Sequence, residues 1–261
     1  MSIMSSHIGI PGVLYHYTSL AGLIGIIRDK VIWASSIYHL NDASEFDYIF
    51  RLLEKTKRKN SILNVLKDEL EAYQYFERVL YVTSFSEEED SLSQWREYCG
   101  GGSGFAIGLD LRDLNRSSDN AYEIKKCIYD KTTQIKILKD CLKNKDAESS
   151  KVPILNNACI FKDNSFKAEN EWRLFLWHSC WLEKEKQVKF RAGKSIVVPY
   201  IEIPYCKFVI REVVIGPTPH PRRSEMALKV LLSANGYATD YRKVHGPVIE
   251  IKHSQTPYSY W

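Results

Sequence analysis

The chain alternates between short β-rich runs and runs with apolar residues at helical spacing. Residues 14–35, LYHYTSLAGLIGIIRDKVIWAS, set the pattern. An aromatic-rich run ends at Thr18-Ser19; Leu20, Leu23, Ile24 and Ile27 then recur at helical spacing; Val31, Ile32 and Trp33 open a second β-rich run. The prediction is strand, helix over 19–29, strand. Thr18 or Ser19 is the N-cap, because a hydroxyl there accepts a bond from an unpaired N–H. Gly22 and Gly25 are unfavourable inside a helix, and close packing against a neighbour would account for them.

Further along, Asp42 and Glu45 stand at capping-box spacing and predict a helix from about 43 to 57. A second helix is expected over 61–77. RVLYVTSFS (78–86) reads as a strand, DSLSQWREYC (90–99) as a helix, GGGSG as a flexible turn and FAIGLD (105–110) as a strand. Residues 121–151 are lysine-rich, with a strand-like start and a helical middle, and read as a peripheral, solvated insertion. Strands are expected at 169–179, 194–203 and 212–216. A helix over 224–235, from Ser224 to Gly236, and a strand near 237–244 should close the chain. This irregular mixture argues for an α+β fold in a single domain, 1–261, with 1–12 as an N-terminal tail.

Composition narrows the class only a little. With 44% hydrophobic and 26% charged residues the chain is ordinarily globular. A net charge of +4, from 36 basic and 32 acidic residues, suits a nucleotide or nucleic-acid partner without selecting one. The six cysteines form no CxxC pair, so no metal is expected and they read as reduced, mostly buried thiols. Residues 1–12 lack the basic and apolar regions of a secretory signal, and no run approaches the ~18 apolar residues of a membrane span. A cytoplasmic protein without a membrane partner is the expectation. P-loop, HExxH, GxSxG and kinase signatures are absent from the sequence. GGGSGF follows a helix and precedes a strand, the reverse of a dinucleotide-binding fingerprint.

Three polar constellations remain. His16-Tyr17-Thr18 ends the first strand; the plain account is a histidine bonded to backbone, with Thr18 capping the next helix. Ser84 and Ser86 share one face of their strand, with Phe85 on the other, and the plain account is a strand end leading into the acidic loop EEED. In KAENEWRLFL, Glu169 and Glu171 lie two apart on an expected strand, so both carboxylates project from one face. A preorganised carboxylate pair suits a developing positive charge or activation of an incoming hydroxyl. The plain account is an exposed sheet edge balanced by Arg173 and Lys167. Trp95 and Tyr98 line a pocket or fill the core.

The segments YHYTSLAGLIGII, LNDASEF, SFSEEEDSLSQWREYCGGGSGFAIGLD, ENEWRLF and VVIGP, in this order, resemble an uncharacterised bacterial family of unknown function over roughly residues 13–245. The 121–151 segment and the ending PYSYW stand outside that pattern. More loosely, a strand ending in His-x-Thr, a Ser-x-Ser strand and a late Glu-x-Glu strand resemble the ADP-ribosyltransferase superfamily. That resemblance implies a split mixed β-sheet with flanking helices and NAD as substrate. It implies that His16, Tyr17 and Thr18 contact NAD, that Ser84, Ser86, Trp95, Tyr98 and Arg173 support its pocket, and that Glu171 is the catalytic glutamate. Glu169 would orient or deprotonate an acceptor: protein, nucleic acid or water. The sequence departs from the superfamily in combining a first-strand histidine with Ser-x-Ser and Glu-x-Glu, and in placing Tyr17 where a glycine is usual. Two other readings stand beside this one. One is an RNA 2′-phosphotransferase-like enzyme, which needs several basic residues near the motifs. The other is a non-catalytic nucleotide- or nucleic-acid-binding module in defence or stress. Asn41, Asp42 and Glu45 carry oxygens that suit an ion or substrate, although helix capping also explains Asp42 and Glu45.

Overall fold

The computed structural model describes residues 9–39, 44–53, 79–99, 103–114, 122–143, 153–154, 156–178, 188–193, 195–240 and 246–257. The first unit forms as its pattern dictates: β1 (Leu14–Thr18), α1 (Leu20–Asp29) and β2 (Val31–Ser36). Ser19 is the N-cap, its hydroxyl accepting the Gly22 N–H at 3.2 Å, and left-handed Lys30 (φ 55°) ends the helix. Thr18 packs against Gly22 instead, where an added Cβ would fall 2.0 Å from Thr18 Oγ1. Gly25 differs: no atom lies within 4 Å of the place its Cβ would take, so packing does not explain it.

The remaining elements are α2 (Ser44–Leu53), β3 (Val79–Ser86), α3 (Leu92–Tyr98), β4 (Phe105–Leu109), β5 (Glu123–Lys126), α4 (Lys131–Cys141), β6 (Glu171–His178), β7 (Val188–Ala192), β8 (Val197–Pro204), β9 (Ile210–Ile215), α5 (Pro221–Ala234) and β10 (Glu250–His253). Among the described residues ten strands make one mixed sheet, β10-β9-β4-β1-β3-β2-β8-β7, with β6 on β3 and β5 on β6. β3 is the hub. One edge pairs with β6 along its length, Val79 to His178 through Ser86 to Glu171. The other edge is shared: β1 meets it at Tyr15–Ser86, and β2 meets it at Ser35–Val82 and Ser36–Tyr81. Alternate residues of an antiparallel strand offer their backbone groups to the same edge. Ser84, between Val82 and Ser86, therefore faces the gap where β1 and β2 part, and the sheet is split there.

Strand alternation gives the sheet two differently covered faces. On one, Leu14, Phe85, Ile107, Leu174 and Val213 pack with Leu23 and Ile27 of α1 and Leu228 and Leu232 of α5. On the other, Leu80, Val82 and Phe175 pack with Tyr48, Ile49 and Leu52 of α2 and Leu138 of α4. Farther along that second face, Tyr15, Tyr17, Ala106 and Val214 pack with Trp95 and Cys99. A polar patch lies between the two apolar clusters.

Several expectations change. The described part of 121–151 is not peripheral: β5 pairs with β6, and Leu138 and Leu142 are buried in the core. β7, VKFRA, was not legible as a strand and forms the sheet's edge against β8. The terminal helix starts at Pro221, one turn before Ser224, because proline suits the first helical position. Of the strand expected near 237–244, residues 237–240 carry one bridge, Ala238 to Val248, and 241–244 lie outside the described residues; β10 pairs in parallel with β9. The expected 61–77 helix, residues 100–102 of the glycine turn, Asn41, Asp42 and the Glu45 side chain lie outside the described residues. The five described cysteines form no disulfide, and burial pushes the thiols of Cys99 and Cys159 up to about 12, which keeps them protonated.

The two helical glycines of α1 should respond oppositely. Gly25→Ala should stabilise the fold by about 0.5–1 kcal/mol through helix propensity, whereas Gly22→Ala should cost about 1–3 kcal/mol through overpacking against Thr18. Urea unfolding of the two variants checks this; a gain from Gly22→Ala would contradict the packing described.

Candidate active site

The polar patch is built where β3 and β6 run out together. Glu171 pairs across to Ser86 and Arg173 to Ser84, and directly paired residues project from the same face, so all four side chains share it. Glu169 is not on the strand as expected. It closes a 3₁₀ helix, Asn164–Glu169, and left-handed Asn170 (φ 43°) turns the chain into β6. Ser86 holds this turn, donating its hydroxyl to the Glu169 carbonyl at 2.7 Å, while the Tyr129 hydroxyl accepts the Glu171 N–H at 2.8 Å.

Both carboxylates meet one ammonium group. Lys162 Nζ lies 2.7 Å from Glu171 Oε2 and also bonds Glu169 Oε2. Arg173 grips Glu171 from the other side, Nε to Oε1 at 2.7 Å and Nη2 to Oε2 at 3.2 Å, and its Nη1 donates to the Cys159 carbonyl at 2.8 Å. Lys162, Glu169, Glu171 and Arg173 are all buried. Two formal positive charges thus face two negative ones. The plain account of an exposed edge balanced by Arg173 and Lys167 changes in two respects: the edge is buried, and Lys162, in place of the exposed Lys167, joins Arg173 as the second cation.

Burial alone would raise both carboxyl groups, but the balance differs between them. Arg173 and Lys162 outweigh burial at Glu171 and hold it down at about 2. At Glu169, burial, reinforced by the charges of Glu171 and Glu97, prevails over the pull of Lys162, and the carboxyl is raised. Two acids two residues apart are driven in opposite directions, the arrangement that separates a fixed anion from a proton carrier.

The first-strand residues are placed otherwise. Leu14, His16 and Thr18 alternate onto the α1 face, opposite Glu171, Ser84 and Ser86. The expected single cleft lined by His16, Ser84 and Glu171 is therefore not formed on one face. One contact joins the two sides: His16 Nδ1 lies 3.0 Å from the Ser84 carbonyl in the split, and the ring tilts against Phe85 at 5.8 Å. A carbonyl only accepts, so Nδ1 carries the proton. Burial lowers the ring's pKa, so it is neutral at pH 7 with Nε2 as an acceptor. The plain account of His16 describes this contact. Thr18 packs on Gly22, and the cap is Ser19.

Tyr17 points to the α3 side, where its hydroxyl accepts from the Ser91 N–H at 2.9 Å and donates to the Glu88 carbonyl at 2.7 Å. Its ring meets Trp95 edge-on at 4.6 Å. Trp95 is wholly buried, its indole N–H on Asp90 at 2.6 Å, so it fills core. Tyr98 is half-buried beside the charged group, and burial raises its hydroxyl, as does the charge of Glu97.

Sequence reasoning missed Lys162 and the acidic loop. A buried lysine has no local signature; the available hint was that two glutamates and one arginine leave a charge unmatched. The loop Glu87–Asp90 is tied down at every residue. Glu87 takes Lys126 and the Trp172 indole, each at 2.7 Å, and Glu88 takes Asn170 at 2.7 Å. Glu89 pairs with Lys252 at 2.8 Å. Asp90 accepts from Ser254 at 2.6 Å and Thr256 at 2.9 Å.

Among the described residues, no cluster of three His, Cys, Asp or Glu suits a metal ion, and no helix is long and apolar enough to cross a membrane. The stretch from α3 to the middle of β6 is where Trp95, Tyr98, Lys162, Glu169, Glu171 and Arg173 all reside. Residues 94–174 match a family model described as Protein of unknown function (DUF2971). The matched stretch thus includes the whole charged group, together with β5 and α4. No curated protein matches the chain. Among solved structures the chain is similar to DarT of Thermus sp. 2.9, seen in complex with ADP-ribosylated ssDNA, at 9% identity and a TM-score of 0.36, over 93% of this chain and 94% of that one. A likeness so distant says nothing about the site.

The depressed carboxyl of Glu171 has a thermodynamic signature. Its folded value, about 2, lies below the ordinary glutamate value of about 4.3, so its stabilisation is fully present above the latter and is lost as pH falls towards the former. The stability difference between wild type and Glu171→Gln should be constant above about pH 5 and shrink below about pH 4.3. Urea unfolding between pH 2 and 6 measures it, and a difference that ignores pH would remove Glu171 from the ion-paired state.

Proposed function

We propose that the protein is an NAD-cleaving enzyme of the ADP-ribosyltransferase kind, with Glu171 as the fixed anion of the reaction. The observation that carries this reading is the pair of buried carboxylates on one ammonium group, beside the split in the sheet, with opposite protonation tendencies. The order of the His-x-Thr, Ser-x-Ser and Glu-x-Glu segments supports it. Cleavage breaks the bond between ribose C1′ and the nicotinamide nitrogen. The bonding pair goes to nicotinamide, which leaves neutral, and C1′ becomes cationic. A carboxylate already ionised and immobile stabilises that cation without reorganising. The acceptor's lone pair forms the new bond to C1′, and its proton passes to Glu169 and then to solvent. His16, on the opposite face of the sheet, takes no part in this step. The acceptor is a protein, a nucleic acid or water.

The non-catalytic reading has its own supporting observation. Both Glu171 oxygens are already occupied by Arg173 and Lys162, and His16 lies on the opposite face. A nucleotide bound at the split would then be held without being cleaved. The phosphotransferase reading loses its main cation, because the Arg173 guanidinium is bonded to Glu171 and Cys159.

Nicotinamide release from NAD by the purified protein, with and without cell lysate as acceptor source, decides between these. Wild type should release nicotinamide, and Glu171→Gln should lower the rate about 10²-fold or more, the cost of removing a transition-state electrostatic partner. Saturable NAD binding without release from either protein would favour the binding module, and no binding would reject both.

A further inference from the structure

We infer that Lys162 is the positioning residue of the site: its shared ammonium group holds Glu169 beside Glu171 and sets the pH at which Glu169 takes up its proton, while Arg173 keeps Glu171 an anion. Glu169's proton-carrying role rests on the NAD-cleaving reading; the control of Glu169 by Lys162 does not. The geometry is specific. One Nζ bonds an oxygen of each carboxylate, so a single cation is shared, but unequally. Glu171 has Arg173 as a second cation, bound bidentately, whereas Lys162 is the cation bonded to Glu169. Removing Lys162 would leave Glu171 paired and Glu169 facing a neighbouring negative charge.

Lys162 is itself held rigidly. Its N–H donates to the Ile128 carbonyl at 3.1 Å, and its carbonyl accepts from Gln134 Nε2 at 2.8 Å. Gln134, on α4, is fully buried, and its Oε1 accepts from the Tyr48 hydroxyl at 2.8 Å. A buried amide bonded at both ends fixes the backbone from which the lysine reaches. The ammonium group also lies over the Phe166 ring, 4.9 Å from its centre. Position and charge are thus supplied by the 121–151 segment and the loop preceding β6.

The other ionisable groups around the pair come from every neighbouring element. Glu97 and Tyr98 face it from α3, Tyr129 from the segment after β5, and Arg173 from β6. Burial raises the hydroxyls of Tyr98 and Tyr129, so neither titrates between pH 3 and pH 9.

The test is carboxyl-carbon NMR of the full chain labelled at glutamate Cδ, with Glu169 and Glu171 assigned through Glu169→Gln and Glu171→Gln. In wild type the Glu169 midpoint should lie above that of Glu171. Lys162→Met should raise the Glu169 midpoint by about one pH unit or more, the usual effect of removing an opposite charge in contact, while Glu171 stays the lower of the two. Lys162→Arg should keep the wild-type order. A single shared midpoint in wild type, or a Glu169 midpoint indifferent to Lys162→Met, would overturn the assignment. Should Lys162→Met not fold, Lys162→Gln, which keeps a hydrogen-bond donor without the charge, makes the same measurement. The pH profile of nicotinamide release supplies the second readout: its acidic limb should follow the Glu169 midpoint from variant to variant. Midpoints that move in a protein releasing no nicotinamide would sustain Lys162's control of Glu169 and reject NAD cleavage with Glu169's proton-carrying role. A limb that stays fixed while the midpoint moves would reject Glu169 as the proton carrier.

Discussion

Charge neutrality inside a buried group governs this architecture. Four ionised or ionisable side chains, Lys162, Glu169, Glu171 and Arg173, lie together below the surface. An isolated charge there would cost several kcal/mol, so each tolerates burial only while the others remain. That requirement reaches outward. Arg173 must leave β6 on the same face as Glu171, which the period of two provides. Lys162 must approach from a separate segment, which Gln134 and α4 provide. Ser86 and Tyr129 must fix the turn into β6 so that Glu169 comes round to the same ammonium. The apolar clusters on either side exclude water and make those requirements strict.

Much of this was legible in the sequence, and the omissions have physical causes. β1, α1, β2, β3 and β6 follow from periodicity, because each buries a face whose pattern is local. The glutamate pair was legible as a pair, but its geometry was not: Asn170 takes a left-handed conformation that removes Glu169 from the strand, and nothing within a few residues announces it. Lys162 was not legible because its burial depends on partners brought together only by the fold. The role of 121–151 was misjudged because its lysines suggest solvent, whereas Gln134, Leu138 and Leu142 are the positions that matter to the core.

The split sheet also separates what a linear motif would join. His16, Ser84 and Glu171 stand in the expected order along the chain, yet alternation sends His16 to the α1 face. A motif records sequence order; the face is set by register, and one residue of register decides it. The bond from His16 Nδ1 to the Ser84 carbonyl is where the two faces communicate. It also ties β1 to β3 at the point where their ladder ends.

The acidic loop after β3 has a consequence for biosynthesis. Asp90 finds Ser254, Gln255 and Thr256 as partners, more than 160 positions downstream, and Glu89 finds Lys252. At about 5–20 residues per second of translation, the loop waits roughly ten to thirty seconds for these groups to be synthesised. During that interval the carboxylates of Glu89 and Asp90 lack these partners. The final native contacts of the loop are therefore made only after β10 has cleared the ribosome.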